Sequence, residues 1–217
     1  WLVIGGGGSW QAGETGEFDA AALGWADLAR PIAILPTAGM SATEGDDLLE
    51  YFIDLGGPNG SLVPIYNTAD AQQEENWEQL AEAGLIVIPD GPDPLALLQA
   101  LRDGPAAEAM AQAFDWGAVV LGVGSAGAAL GAWVAGDRRG GAAERGLAWL
   151  QDVVVEPHFE GAESAERLQS VLHEHPESLG IGVPRGVALA LGPRGEVETV
   201  GPGDVTVVVE AQTEDED

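Results

Sequence analysis

The chain is expected to form an α/β domain: a mostly parallel sheet with helices on both faces and antiparallel strands near the C-terminus. Three observations point there. Short apolar runs bounded by glycine or proline recur at 1–4, 31–36, 61–65, 85–89 and 116–123, and such runs read as strands buried on both faces. Between them lie stretches with helical spacing at 18–29, 46–55, 70–83, 95–102 and 105–114, and strict strand–helix alternation argues for parallel crossovers. The composition agrees, with 46% hydrophobic residues, Gly 32 and only 6% aromatics, a balance of small apolar side chains and tight turns.

Each element has its own signal. Residues 1–4 run into Gly5–Gly8 and Ser9, a strand delivering the chain into a glycine turn. No Gly-Lys-Ser/Thr follows, and Gly-x-Gly-x-x-Gly fails at Trp10, so a nucleotide site is not expected. Residues 46–55 place Leu48, Leu49, Phe52 and Ile53 at helical spacing, and Gly56-Gly-Pro-Asn-Gly60 stops that helix. The helix at 70–83 carries Trp77 and Leu80 inward. The strand at 85–89 opens into Asp90-Gly-Pro-Asp-Pro94. Beyond Gly140 the pattern changes: a strand at 153–155 ends in Glu156-Pro157-His158-Phe159, and a helix spans 162–174. Runs at 180–183, 187–191, 197–200 and 205–209, spaced by Gly-Pro turns, read as antiparallel strands at one edge. A single domain over 1–210 is expected, with 211–217 a disordered acidic tail.

The formal charge of −28 comes from 36 acidic against 8 basic residues, all of them arginine. Such a field repels nucleic acid and anionic membrane, so neither is expected as a partner. No apolar run approaches the roughly 18 residues a membrane helix needs, and a soluble, cytoplasmic protein is expected. The chain has no cysteine, so covalent chemistry falls to serine, threonine or a carboxylate, and thiolate metal sites are excluded.

The stretch Trp116-Gly-Ala-Val-Val-Leu-Gly-Val-Gly-Ser125-Ala-Gly is an apolar strand turning into a small-residue helix. Ser125 sits on that turn, where a nucleophile elbow would lift it above the sheet. The elbow pattern wants Gly two residues before the serine, and Val123 stands there. A glycine-rich junction with a solvent-facing serine is the other reading of the same residues. Ser125 needs a base, and of three histidines only His158 ends an apolar strand; His173 and His175 flank Glu174 near the end of a polar helix.

Gly124-Ser125-Ala126-Gly127-Ala128, Glu156-Pro157-His158-Phe159, Arg167-Leu168 and Gly180-Ile-Gly-Val-Pro184-Arg-Gly186, in that order, resemble the S51 serine peptidases, the family of dipeptidase E and cyanophycinase. The resemblance implies a fold like the class I glutamine amidotransferase domain and a hydrolase of short, acidic peptides such as Asp-X, working without metal or cofactor. It implies Ser125 as nucleophile and His158 as base. The orienting carboxylate would come from the segment between them, which offers Asp137, Glu144 and Asp152, with Asp137 preferred. Oxyanion and substrate contacts would fall to Gly91, Asp93, Ala126 and Arg185. Pro92 stands where relatives have glycine, which would remove one oxyanion donor if that N–H were used. Arg185 stands where relatives have Glu. The expected partner is a small peptide substrate or ligand, with a homodimer left open. A silent member of the family that binds a ligand or partner in the same crevice is the alternative, and an amidotransferase-like enzyme a distant third.

Overall fold

A computed structural model describes residues 1–136 and 142–209. The main sheet has seven strands: β1 (Leu2–Gly5), β2 (Ile32–Ile34), β3 (Gly60–Leu62), β4 (Leu85–Ile88), β5 (Val119–Val123), β10 (Ala188–Leu191) and β11 (Val197–Val200). Its order is β11-β10-β1-β5-β4-β2-β3. The five strands from β1 to β3 are parallel, while β10 and β11 are antiparallel additions at one edge.

The parallel strands are connected through helices, among them α1 (Gly16–Trp25), α2 (Ala42–Asp54), α3 (Glu74–Glu82), α4 (Pro94–Leu101), α5 (Pro105–Asp115) and the short α6 (Ser125–Ala129). The predicted helix at 70–83 is divided into a 3₁₀ turn, Asp70–Gln72, and α3. Ser41 caps α2 in a reciprocal capping box with Glu44, which satisfies donors the first turn leaves open. Asp93 caps α4, its side chain accepting from the N–H of Ala96 at 2.9 Å, and Pro94 occupies the first turn, where its missing N–H costs nothing.

Alternation along each strand sorts the core onto two faces. Val3, Ile34, Val87 and Leu121 pack with Phe18, Leu48 and Phe52 of α1 and α2. Ile4, Leu35, Ile88 and Val120 pack on the other face with Leu80, Leu97 and Met110 of α3, α4 and α5. Burial on both faces is why these strands read as unbroken apolar runs.

A second sheet takes β6 (Trp133–Val134), β7 (Glu144–Arg145), β8 (Val153–Pro157), β9 (Leu179–Val183) and β12 (Thr206–Val209), in the order β12-β9-β8-β6-β7. The expectation of one antiparallel edge for the last four runs is corrected here. β10 and β11 extend the main sheet, whereas β9 lies parallel to β8 across the crossover helix α7 (Gly161–Glu174), and β12 pairs antiparallel with β9. Arg167 of α7 ties that helix to β8 through an ion pair with the buried Glu156. Among the described residues no helix is long and apolar enough to cross a membrane.

Candidate active site

Parallel neighbours bring their C-terminal ends together. β4 and β5 pair in register, so Asp90, just past β4, and Gly124, just past β5, come side by side. A Cβ at Gly124 would stand 2.1 Å from the Asp90 Cγ. Gly124 has φ 56 and ψ −122, a conformation open to glycine at little cost. The sharp turn therefore belongs to Gly124, and Ser125 begins α6 one residue later. Gly127 makes room for the helix: a Cβ there would be 2.9 Å from the Gly122 carbonyl and 3.1 Å from that of Gly5, so its absence lets α6 start hard against the sheet.

Asp90 is the centre of the hydrogen bonding. Its Oδ1 accepts the N–H of Gly91 and the N–H of Ser125, each at 2.9 Å. Its Oδ2 lies 3.0 Å from His158 Nε2. Burial raises the Asp90 pKa, but the hydrogen bonds from His158 and from Ser125, with the charge of His158, outweigh it and hold the carboxyl below its ordinary value. Asp90 is thus ionised at neutral pH, and Nε2–H donates to it. Two N–H groups converging on one anionic oxygen are the arrangement that stabilises a developing oxyanion in acyl transfer; here the chain's own carboxylate occupies it.

Ser125 lies against the same loop. Its Oγ donates to the Gly91 carbonyl at 2.8 Å and accepts the Gly91 N–H at 3.2 Å. The hydrogen bond of His158 Nε2 goes to Asp90, so a carboxylate intervenes between the predicted base and the predicted nucleophile.

His158 follows β8 in the left-handed region, φ 49, with its N–H donated to Gly6 at 2.7 Å. Its ring lies over Gly7, where a Cβ would be 2.0 Å from Cε1. Gly7 has φ 99, so both its conformation and its missing side chain make room for the imidazole. Nδ1 is buried without a hydrogen-bond partner among the described residues. Asp90 on Nε2 is the carboxylate that holds this ring.

The other predicted site residues divide. Asp137 lies outside the described residues. Glu144 is exposed on β7, and Asp152 is exposed just before β8 with φ 55. The Gly91 N–H is one of the converging pair, and the second N–H is that of Ser125 where Ala126 was expected. The Asp93 N–H is spent on the Ala38 carbonyl at 2.9 Å. Pro92 takes no donor from the pair, because the loop uses the residue before it; its ring packs toward Gly39. Arg185 is exposed and pairs with Glu14 at 3.1 Å, so its charge is matched from the loop after β1. His175 stacks on Trp133 with centroids 3.6 Å apart, away from this cluster in the second sheet.

Sequence reasoning assigned no role to Asp90 or Asp19. Asp90 carried a usable signal, since it ends an apolar strand just as His158 does. Asp19 carried another, because it falls between Phe18 and Ala22 on the buried face of α1. Among the described residues no group of three or more histidine, cysteine or carboxylate side chains could hold a metal.

Comparison with known proteins adds the family. The model of peptidase family S51 matches residues 2–195. A cyanophycinase of Geminocystis herdmanii is 30% identical over 187 residues, covering 82% of this chain and 68% of that protein. A cyanophycinase of Synechococcus elongatus is 29% identical, and there the chain spans only 58% of the relative's length. Among solved structures, a peptidase from an acI-B1 Actinobacterium superposes with a TM-score of 0.66 at 22% identity, covering 97% of this chain and 87% of the other. A putative peptidase E protein from Listeria monocytogenes EGD-e gives 0.56 at 11% identity, covering 97% and 98%. At those identities the two structures speak for the fold.

Proposed function

This chain belongs to peptidase family S51, and on that premise we propose that it is a serine-type hydrolase of short peptides whose oxyanion site is filled at rest by its own Asp90. The observation that carries the reading is the pair of N–H groups from Gly91 and Ser125, both 2.9 Å from one carboxylate oxygen, with the Ser125 hydroxyl and His158 on either side. A substrate carbonyl oxygen would take the place of Asp90 Oδ1. Ser125 Oγ would then attack the carbonyl carbon while His158, released from Asp90 and with its ring proton moved from Nε2 to the unpartnered Nδ1, accepts the hydroxyl proton on Nε2 and returns it to the leaving amine. The C–N bond breaks, an acyl ester on Ser125 remains, and water hydrolyses it by the same proton path. The Glu14 partner of Arg185 leaves no unmatched cation there to select an acidic side chain.

The intervening Asp90 and the turn at Gly124 favour a second reading, in which the crevice binds without cleaving. Reaction with a fluorophosphonate separates the two. We expect slow labelling at Ser125, lost in Ser125→Ala and strongly reduced in His158→Ala. Asp90→Ala empties the N–H pair and should speed labelling by about tenfold or more, given that one such donor is worth about 100-fold in turnover. No labelling of folded protein in either the parent or Asp90→Ala leaves the binding reading in its place.

A further inference from the structure

The chain has three asparagines, Asn59, Asn67 and Asn76, and the fold treats them differently. Asn67 is held in the turn before the 3₁₀ turn, where its amide donates to the Asp70 carboxylate at 2.9 Å and its oxygen accepts the Ala69 N–H at 2.8 Å. Asn76 is buried on α3 and donates to the Asp70 carbonyl at 2.9 Å. Asn59 is exposed, its side chain makes no hydrogen bond among the described residues, and glycine follows it. The backbone there is open as well. Ile32 of β2 pairs with Gly60, and the Ile32 N–H reaches the Asn59 carbonyl at 3.2 Å. In a parallel ladder a strand bonds its neighbour through the residues on either side of the paired one, whose own N–H then points the other way. Since β3 is the last strand of the sheet, the Gly60 N–H faces the open edge. Packing fixes the glycine too: a Cβ at position 60 would stand 2.1 Å from the Ile32 carbonyl oxygen.

We propose that Asn59 is a site of spontaneous covalent modification, in which its side-chain amide closes on the next backbone nitrogen, loses ammonia and leaves an isoaspartyl link in the chain. In the first step Gly60 N gives up its proton and bonds to Asn59 Cγ, the Cγ–Nδ2 bond breaks, and ammonia departs. Water then opens the cyclic imide. Cleavage between Gly60 N and Cγ leaves aspartate in a normal chain; cleavage between Gly60 N and the backbone carbonyl carbon of residue 59 reroutes the chain through Cγ. Glycine permits the ring because no side chain crowds its nitrogen and its dihedrals are the least restricted, and asparagine is a thermally labile residue type. Asp90-Gly91 has the same spacing and is spared: its carboxyl is ionised, a poor target for a nucleophile, and its Oδ1 is held by two N–H groups at 2.9 Å. An isoaspartyl residue adds a backbone carbon where the Asn59 carbonyl accepts the Ile32 N–H, so that rung of the β2–β3 ladder is lost. The change lies at the N-terminal ends of β2 and β3, across the sheet from Ser125 and His158, and acts on stability whether or not the chain is a hydrolase.

The test uses the whole folded protein, aged in warm, mildly alkaline buffer and in parallel in mildly acidic buffer, then digested and read by mass spectrometry. The peptide spanning Asn59 should gain the mass of an amide-to-acid change, several-fold faster in the alkaline buffer because Gly60 N must lose its proton. Peptides holding Asn67 and Asn76 should stay unchanged over the same time. Fragmentation across the Cα–Cβ bond of residue 59 should show isoaspartate as the larger product. Asn59→Gln, whose longer side chain closes a larger and slower ring, should not convert. The aged protein should melt about 2–4 °C below Asn59→Asp, which carries the same new charge on a normal backbone. Conversion in the urea-unfolded chain with none in the folded protein overturns the proposal, because the fold then shields the pair. Aspartate without isoaspartate overturns the imide route, and equal midpoints for the aged protein and Asn59→Asp overturn the loss of the Ile32 rung.

Discussion

Replacing Asp19 with asparagine gives a sharp test of the electrostatics behind the sheet. The carboxyl is raised from 3.8 to about 6 in the folded protein. That difference is roughly two units, and at about 1.4 kcal/mol per unit it corresponds to about 3 kcal/mol. The folded pKa is the higher one, so this contribution is complete below the unfolded value and is lost as the pH rises through about 6. Asparagine keeps an oxygen for the Thr15 and Tyr51 hydroxyls that the carboxylate accepts and carries no charge to bury. The assay is urea unfolding of parent and Asp19→Asn at several values between about pH 4 and pH 8. The other acidic groups largely cancel in the difference between the two proteins, since distant sites add. That difference should move by about 3 kcal/mol in favour of the variant from the acid end to neutrality, with the change centred between about 4 and 6. Parallel stability curves for the two proteins would refute the claim that this carboxylate is ionised without a compensating cation.

Two further outcomes follow from the same structure. Gly7→Ala puts a Cβ 2.0 Å from His158 Cε1 on a residue with φ 99, so it should cost more than about 1 kcal/mol in urea unfolding and lower fluorophosphonate labelling about as far as His158→Ala does. Salt should hold or raise the thermal midpoint from low to molar concentration, because a chain at −28 is relieved of self-repulsion by screening; a steep fall in a calorimetric salt series would contradict that.

Much of this molecule was legible in its residues alone. Apolar runs and helical spacing located the strands and helices, because burial on both faces of a parallel sheet leaves an unbroken hydrophobic signature. Ser125, His158 and the loop at Asp90 each follow an apolar strand in the sequence, and parallel strands collect their C-terminal ends on one side. The motifs in family order named peptidase family S51.

Tertiary structure decided the rest. Gly124 and not Ser125 makes the left-handed turn, a matter of a single residue in strand length that apolar patterning does not resolve. Asp90 fills the N–H pair and takes the hydrogen bond of His158, although 68 residues separate the two in the chain. β9 and β10 part into different sheets, because each follows the partner whose edge is open, and alternation is the same in either place. Asp19 lies buried beside a pocket that Asp90, from the end of another strand, also lines. Periodicity along a chain reports which way a side chain faces relative to its own neighbours. Which distant group it meets is set by packing between elements and by the hydrogen bonds that a buried carboxylate must find, and those exist only once the chain has closed on itself.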